Sequence, residues 1–310
     1  MLILYILLAL LFIVLAGITV LFFYTCVGRR VDDMWDEALV RKHGFGMLWE
    51  DIRAGRDWLL KQPTEPLQAV SYDGKLLNGF FLPCENAPAT IILFHGWRSS
   101  WKLDFSSVFE YYHSLGLNII AVAQRGQGES EGHFITFGVR ERQDVLSWVT
   151  YAAQMLGEDE PIFLDGVSMG AATVLMAADL DFPANVRGIL ADSGFISPYA
   201  IMESVMSRVS PLIPVKAALW LLNIFTRLFA GFGLKERSTT QALKVTKYPV
   251  LFVHGLADGF VPHEMSQQNY ESCASEKELV LVEGADHAMS FHTDKARVKT
   301  ALESFLDKHI

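Results

Sequence analysis

The stretch that decides the fold runs from Pro161 to Ala178 and reads PIFLDGVSMGAATVLMAA. Pro161–Val167 is a short apolar run of strand character, and Met169–Ala178 carries a helical pattern. The junction, Gly166-Val167-Ser168-Met169-Gly170, fits G-x-S-x-G. In that motif a strand turns sharply into a helix, and the serine is held in a strained conformation with its Oγ exposed. Small residues at 166 and 170 let strand and helix approach closely, and Ala171 and Ala172 extend the clearance. A serine hydroxyl is a poor nucleophile until a base takes its proton. The motif therefore requires an acid and then a histidine farther along, in that order.

Both are present. Asp258 follows the strand-like PVLFVHG, in HGLADGFVP, and His287 follows ELVLVEG, in EGADHAMSF. Taken singly, Asp258 reads as a turn residue and His287 as a loop histidine. Their order, and their position after strand-like runs where parallel-sheet sites gather, link them to Ser168. Asp192, in LADSGF, is the alternative acid. Asp286 is too local to orient its neighbour, and His292 is a rival base. His95 and His254 each precede a glycine at a strand end and read as structural. The oxyanion donors expected for this layout are backbone N–H groups: Met169, after the nucleophile, and Trp97, in the loop after TIILF.

The runs flanking the motif set the architecture. Leu67–Ser71 and Leu76–Leu82 bracket Asp73-Gly74, a hairpin signal. Thr90–Phe94, Asn118–Ala123, Val186–Ala191, Pro249–Val253 and Glu278–Val282 are continuous apolar runs, as strands buried on both faces require. Helical patterns fall between them at Phe105–Leu115, Gly138–Leu156, His263–Cys273 and Asp294–Lys308. The predicted fold class is α/β: a mostly parallel sheet with an opening hairpin and helices on both faces. Between Asp192 and Pro249 the pattern is helical with no strand, and Ala217–Phe232 is strongly apolar. Asn223 and Arg227 in its middle argue against a membrane span. A helical cap over about 195–248 is expected instead, and apolar surface there suits a lipophilic substrate.

The chain has 310 residues, a net charge of −9 and 51% hydrophobic residues, enough to bury a core. An acidic chain with no basic block excludes nucleic acid as a partner. Its three cysteines, Cys26, Cys84 and Cys273, form no CxxC pair, so neither a disulfide scaffold nor a thiolate zinc site is expected. Gly126-Gln127-Gly128 lacks the third glycine of a dinucleotide site, since Glu131 stands there. His263-Glu264 lacks the second zincin histidine, since Gln267 stands there. No metal or organic cofactor is implied.

Every one of the 26 Lys and Arg and 35 Asp and Glu residues lies from Arg29 onward. Leu2–Val27 is almost wholly Leu, Ile, Val, Phe and Ala, longer than the roughly 20 residues that span a bilayer. It lacks the basic start and the short apolar stretch of about 7–15 residues of a cleaved signal. Residues 1–28 are therefore predicted to be a transmembrane anchor. Residues 29–66 are predicted to be a juxtamembrane helical linker, amphipathic from His43 to Gln62 and stopped by Pro63 and Pro66. Residues 67–310 form the catalytic domain. Arg29, Arg30, Arg41 and Lys42 follow the span, which predicts a single-pass cell-membrane protein with its domain on the cytoplasmic side.

With LFHGW, AQRGQGES, GVSMG, LFVHGLADGFVP and GADHAMSF in this order, the chain resembles the α/β-hydrolase superfamily, especially its lipase, esterase and serine-aminopeptidase-like branch. The resemblance spans about Leu67–Ile310 and has the look of a membrane-anchored bacterial member. It implies Ser168 as nucleophile, His287 as base and Asp258 as orienting acid. Ala123-Gln124 before Arg125 departs from the pattern, where relatives often have an aspartate. The expected activity is hydrolysis of a small-molecule or lipid-like carboxylic ester through an acyl-enzyme. Two other readings are a peptidase that removes N-terminal residues and a catalytically silent, membrane-anchored binding scaffold.

Overall fold

Apolar runs with no polar alternation need cover on both sides, and the computed structural model shows how the chain supplies it. Residues 1–29, 35–42, 44–209 and 214–310 are described, with side chains of the first helix given at 1, 5–6, 13–14, 16–17 and 19–26. Arg30 of the predicted charge pattern, His43 of the predicted linker helix and residues 210–213 of the cap lie outside them.

The strands are β1 (Glu65–Val70), β2 (Leu76–Leu82), β3 (Thr90–Phe94), β4 (Asn118–Val122), β5 (Ile162–Val167), β6 (Val186–Asp192), β7 (Val250–Gly255) and β8 (Lys277–Val282). They form one sheet in the order β1-β2-β4-β3-β5-β6-β7-β8. The opening hairpin pairs β1 with β2 antiparallel, and β2 lies antiparallel on β4. Every later pairing is parallel. From β3 the chain steps to β4 on one side and returns to β5 on the other. The C-terminal ends of β3 and β5 thus flank a topological switch point, where open α/β sheets bind ligands.

Successive residues of the central strands serve opposite faces. Ile92 and Phe94 of β3 pack with Val145, Trp148, Val174 and Leu175 on one face. Ile91 and Leu93 pack with Phe109, Tyr112, Leu302 and Phe305 on the other. Burying each such side chain contributes about 1.5–3 kcal/mol. The first face is covered by α6 (Glu141–Leu156) and α7 (Met169–Met176), the second by α5 (Phe109–Ser114) and the last helix, Lys295–His309. The predicted helix over Phe105–Leu115 is helical only over α5, and a break at 105–108 separates it from the shorter α4 (Trp101–Asp104). The break has a cause: Asp104 turns inward to accept the Gly96 N–H at 2.6 Å.

The amino-terminal segment is helical over Leu2–Cys26 (α1). Among the residues whose side chains are described, no helix is long and apolar enough to cross a membrane. The end of α1 packs on the domain. Phe23, Cys26 and Val27 are buried in the same cluster as the cap. Arg29 donates to the carbonyls of Gly128, Ser130 and Gly132, and the Ile135 N–H donates to the Val27 carbonyl at 2.7 Å.

After a short α2 (Glu37–Lys42), the linker helix α3 (Trp49–Leu59) packs on the domain. It does so closely enough that a Cβ at Gly55 would stand 1.7 Å from the Ser106 carbonyl oxygen. The stretch predicted to be the cap holds α8 (Pro198–Val209), α9 (Val215–Phe225) and α10 (Thr239–Leu243). The apolar run does not continue as one helix to Phe232. It loosens into a π-helical turn at Thr226–Ala230 and stops at Gly231, φ +70°. Arg227 is exposed there, and the Asn223 side chain accepts the Leu234 N–H at 2.9 Å.

Candidate active site

Ser168 sits between β5 and α7 at φ +56°, ψ −111°, a conformation that costs a non-glycine residue about 1–3 kcal/mol. The two glycines make the turn possible. A Cβ on Gly170 would lie 1.8 Å from the Phe94 carbonyl oxygen, and one on Gly166 would lie 2.4 Å from the backbone of Gly170. The close crossing of β3, β5 and α7 is thus bought by hydrogen at two positions, and it aims the Ser168 side chain at the sheet's C-terminal edge.

Two other loops meet it there. His287, after β8, lies with Nε2 2.9 Å from the Ser168 Oγ and Nδ1 2.7 Å from Oδ2 of Asp258, which follows β7. With Nδ1–H donated to the carboxylate, Nε2 is left to accept the serine proton. The Asp258 side chain is fully buried. Burial alone would push its carboxyl up, but hydrogen bonds from His254 and His287 outweigh that and hold it well below the usual carboxylate range. Its Oδ1 accepts the backbone N–H groups of Phe260 and Val261, each at 2.8 Å.

The rivals go elsewhere. Asp192 accepts the Ser193 hydroxyl at 2.8 Å and the Ser290 hydroxyl at 3.3 Å. Burial pushes its carboxyl up, and it makes no hydrogen bond to His287 among the described residues. His292 pairs with Asp51 at 3.1 Å and Ser107 at 3.3 Å, away from Ser168. His95 is buried, with Nδ1 2.9 Å from the Gly96 carbonyl and Nε2 accepting the Gln124 N–H at 3.1 Å. Gln124, the departure from the family pattern, thereby fixes the ring of His95.

Two residues do more than their sequence context suggested. His254, read as structural, places Nε2 2.9 Å from the same Asp258 oxygen, while its Nδ1 meets the Ser266 hydroxyl at 2.6 Å. Asp286 accepts the N–H of its neighbour His287 at 2.7 Å and that of Gly259 at 2.9 Å, so one carboxylate ties the base loop to the acid loop. The motif HGLAD, which sets His254 four residues before Asp258, is the only sequence signal for the first. The second has none, because it depends on loops from two strands lying side by side.

The Trp97 and Met169 N–H groups, at the ends of β3 and β5, enter no hydrogen bond among the described residues. Met169 is the first residue of α7, where N–H groups lack partners within the helix and the helix dipole favours negative charge. Ser168 opens onto two spaces. One is a wide, open cleft lined by Trp97, Arg98, Asp104, Asp286 and His287. The other is a small, open apolar pocket under the cap, lined by Phe22, Cys26, Phe195, Met202 and Val205.

A family model described as serine aminopeptidase, S33, matches residues 85–243, half of the chain. The chain belongs to this family. It is a serine hydrolase of the α/β-hydrolase fold. The matched region contains the strand–serine–helix turn at Ser168, whereas Asp258 and His287 lie beyond it. The chain is similar to YqkD of Bacillus subtilis, 26% identical over 245 residues, with 77% of each chain covered. It is similar in fold to an esterase of Pyrococcus furiosus at a TM-score of 0.66 and 22% identity, covering 81% of this chain and 93% of that one. It is also similar in fold to the acylaminoacyl peptidase of Pyrococcus horikoshii, at 0.60 and 18%, covering 83% of this chain and 43% of that one.

Proposed function

We propose that the protein is a membrane-anchored serine esterase that cleaves a carboxylic ester with an apolar acyl part. The observation that supports this best is the hydrogen-bonded chain Ser168–His287–Asp258 opening onto an apolar cavity. Ser168 Oγ attacks the ester carbonyl while His287 Nε2 takes its proton, and Asp258 stabilises the imidazolium that forms. The carbonyl oxygen becomes negative facing the Trp97 and Met169 amides. Loss of one such donor in this class of reaction costs about 10²–10³ in turnover. The C–O bond to the alcohol then breaks, and His287 returns the proton to the departing oxygen. Water repeats the sequence on the acyl-enzyme and frees the acid and Ser168.

The anchor rests on Leu2–Val27 and on a second apolar surface beside it. Tyr5, Ile6, Ile13, Val14, Leu21 and Tyr24 of α1 are exposed, as are Trp220, Leu228 and Phe229 of the cap. The two surfaces adjoin, since the Phe23 ring lies 6.2 Å from Phe225 and 6.1 Å from Phe229. On this reading a bilayer covers both at once, and the Lys and Arg that follow the span (Arg29, Arg30, Arg41, Lys42) favour a cytoplasmic domain.

The second reading, removal of N-terminal residues from peptides, is favoured by the family's description. It needs an acid to hold the substrate's amine. The acids lining the cleft, Asp104 and Asp286, are both engaged with backbone N–H groups. Labelling by a fluorophosphonate separates the hydrolase from a silent scaffold: wild type is labelled and Ser168→Ala is not. Equal labelling of both defeats the proposal. Nitrophenyl esters run against aminoacyl amides separate esterase from peptidase, and turnover of the amides alone overturns the ester reading.

A further inference from the structure

The cavity under the cap has an unexpected wall. Its lining includes Ser168, Phe195, Met202 and Val205, but also Phe22 and Cys26 of α1. The only polar atom on which a substrate's reaction depends is the Ser168 hydroxyl. The other named side chains are apolar, with no charged group to hold an amine or a carboxylate.

The helix is fixed in that position through its last carbonyls, which have no partner within a helix. The Trp97 indole N–H donates to the Cys26 carbonyl at 2.8 Å, and the Arg98 guanidinium donates to the Thr25 carbonyl. A cation suits a helix C-terminus, where the dipole is negative. Both donors belong to the loop after β3 that carries the Trp97 N–H. Phe23, one residue on from Phe22, is held by the rings of Phe134, Phe225 and Phe229. The wall is therefore part of the folded domain.

We infer that α1 forms one side of the acyl-binding site and that Phe22 and Cys26 set the length of acyl chain the enzyme accepts. The substrate is an ester with an unbranched apolar acyl chain. Its chain lies between α1 and α8, and its alcohol occupies the wide cleft on the His287 side. This rests on the reading of Ser168 as the nucleophile of an esterase. It goes further in making the anchor a determinant of specificity as well as of location.

The test uses the full chain in detergent with nitrophenyl esters from acetate to laurate. Wild type hydrolyses the esters from butanoate through octanoate faster than acetate or laurate. Cys26→Phe narrows the pocket and lowers kcat/KM for octanoate relative to acetate by about tenfold or more, the scale on which an apolar pocket discriminates chain length. Phe22→Ala moves the preference toward longer chains. Labelling rates with short-chain and octyl fluorophosphonates report the folded fraction of each variant and give the same length preference without turnover. If both variants are labelled and keep the wild-type ranking of esters, the inference is overturned and the esterase reading stands. If wild type hydrolyses no ester in the series, the esterase reading fails and the inference falls with it.

Discussion

Oδ2 of Asp258 is shared by two imidazoles, lying 2.7 Å from His287 Nδ1 and 2.9 Å from His254 Nε2. Val261 also offers its carbonyl to His254 Nε2 at 3.1 Å, so this nitrogen faces two acceptors and carries the proton. Its other nitrogen then accepts from Ser266. His254 thus acts on Ser168 only through Asp258, as a positioning residue.

Replacing His254 with Leu removes a donor to a buried carboxylate. Such a bond is worth about 1.5–3 kcal/mol, so kcat should fall by about tenfold to a hundredfold with KM little changed. His254→Gln, which keeps an N–H, should recover most of the loss. The carboxyl of Asp258 is held below its ordinary value, so its contribution to stability is present above the unfolded pKa and is lost as pH falls through the folded one. Without His254 that loss begins at a higher pH, which an acid unfolding series on wild type and His254→Leu would reveal.

The two candidate acids should separate sharply in steady-state kinetics. Asp258→Asn should lower kcat by about 10⁴, the loss expected when the carboxylate no longer selects the imidazole tautomer. Asp192→Asn should leave kcat within about tenfold, because its oxygens serve Ser193 and Ser290. The reverse order would hand the role to Asp192.

A buried carboxyl behind the site gives a pH-dependent stability of opposite sign. Burial pushes Asp165 up to about 7, and its neighbour Asp192 adds to the shift, although the Tyr112 hydroxyl donates to it at 2.7 Å. The folded state therefore binds a proton that the unfolded chain releases near pH 4. Stability on this account is full below about pH 4 and is lost as pH rises toward 7. Asp165→Asn removes that slope. Its melting temperature relative to wild type should rise between pH 5 and pH 8, by the equivalent of about 1–3 kcal/mol.

Gly170→Ala tests the turn itself. With the added carbon 1.8 Å from the Phe94 carbonyl oxygen, β3 and α7 cannot keep their crossing. Destabilisation above about 3 kcal/mol is expected in urea titrations, with loss of fluorophosphonate labelling.

The exposed face of the cap offers a test of membrane seating. Trp220→Asp combined with Phe229→Asp should weaken binding to anionic lipid vesicles and lower turnover of vesicle-borne esters. Hydrolysis of a water-soluble short ester should stay near the wild-type rate. Unchanged partition between vesicles and buffer would remove the cap from the bilayer.

Much of this molecule was legible in residue order. The runs at Leu76–Leu82 and Thr90–Phe94 form strands with those bounds, because continuous apolar runs and a hairpin turn are local signals. The turn at Ser168 was equally plain, since two glycines and two alanines leave few other geometries. Harder to see were contacts that pair distant loops. The bond from Trp97 to the end of α1 joins residues 71 apart in the chain, and no periodicity announces it. A segment of unbroken apolar composition reads as lipid-facing all round, so the burial of Phe23 and Cys26 against the cap had no counterpart in the pattern. The pattern leaves the role of His254 open, because a histidine before a glycine at a strand end fits a turn as well as it fits an acid's second donor.

Ser168, His287 and Asp258 all hang from strand ends, and none comes from the stretch between β6 and β7. Reactivity and selectivity therefore reside in separately encoded parts. A graft that exchanges that stretch for a foreign helical insert leaves Ser168, His287 and Asp258 on their own strands, with Phe22 and Cys26 of α1 still beside the pocket.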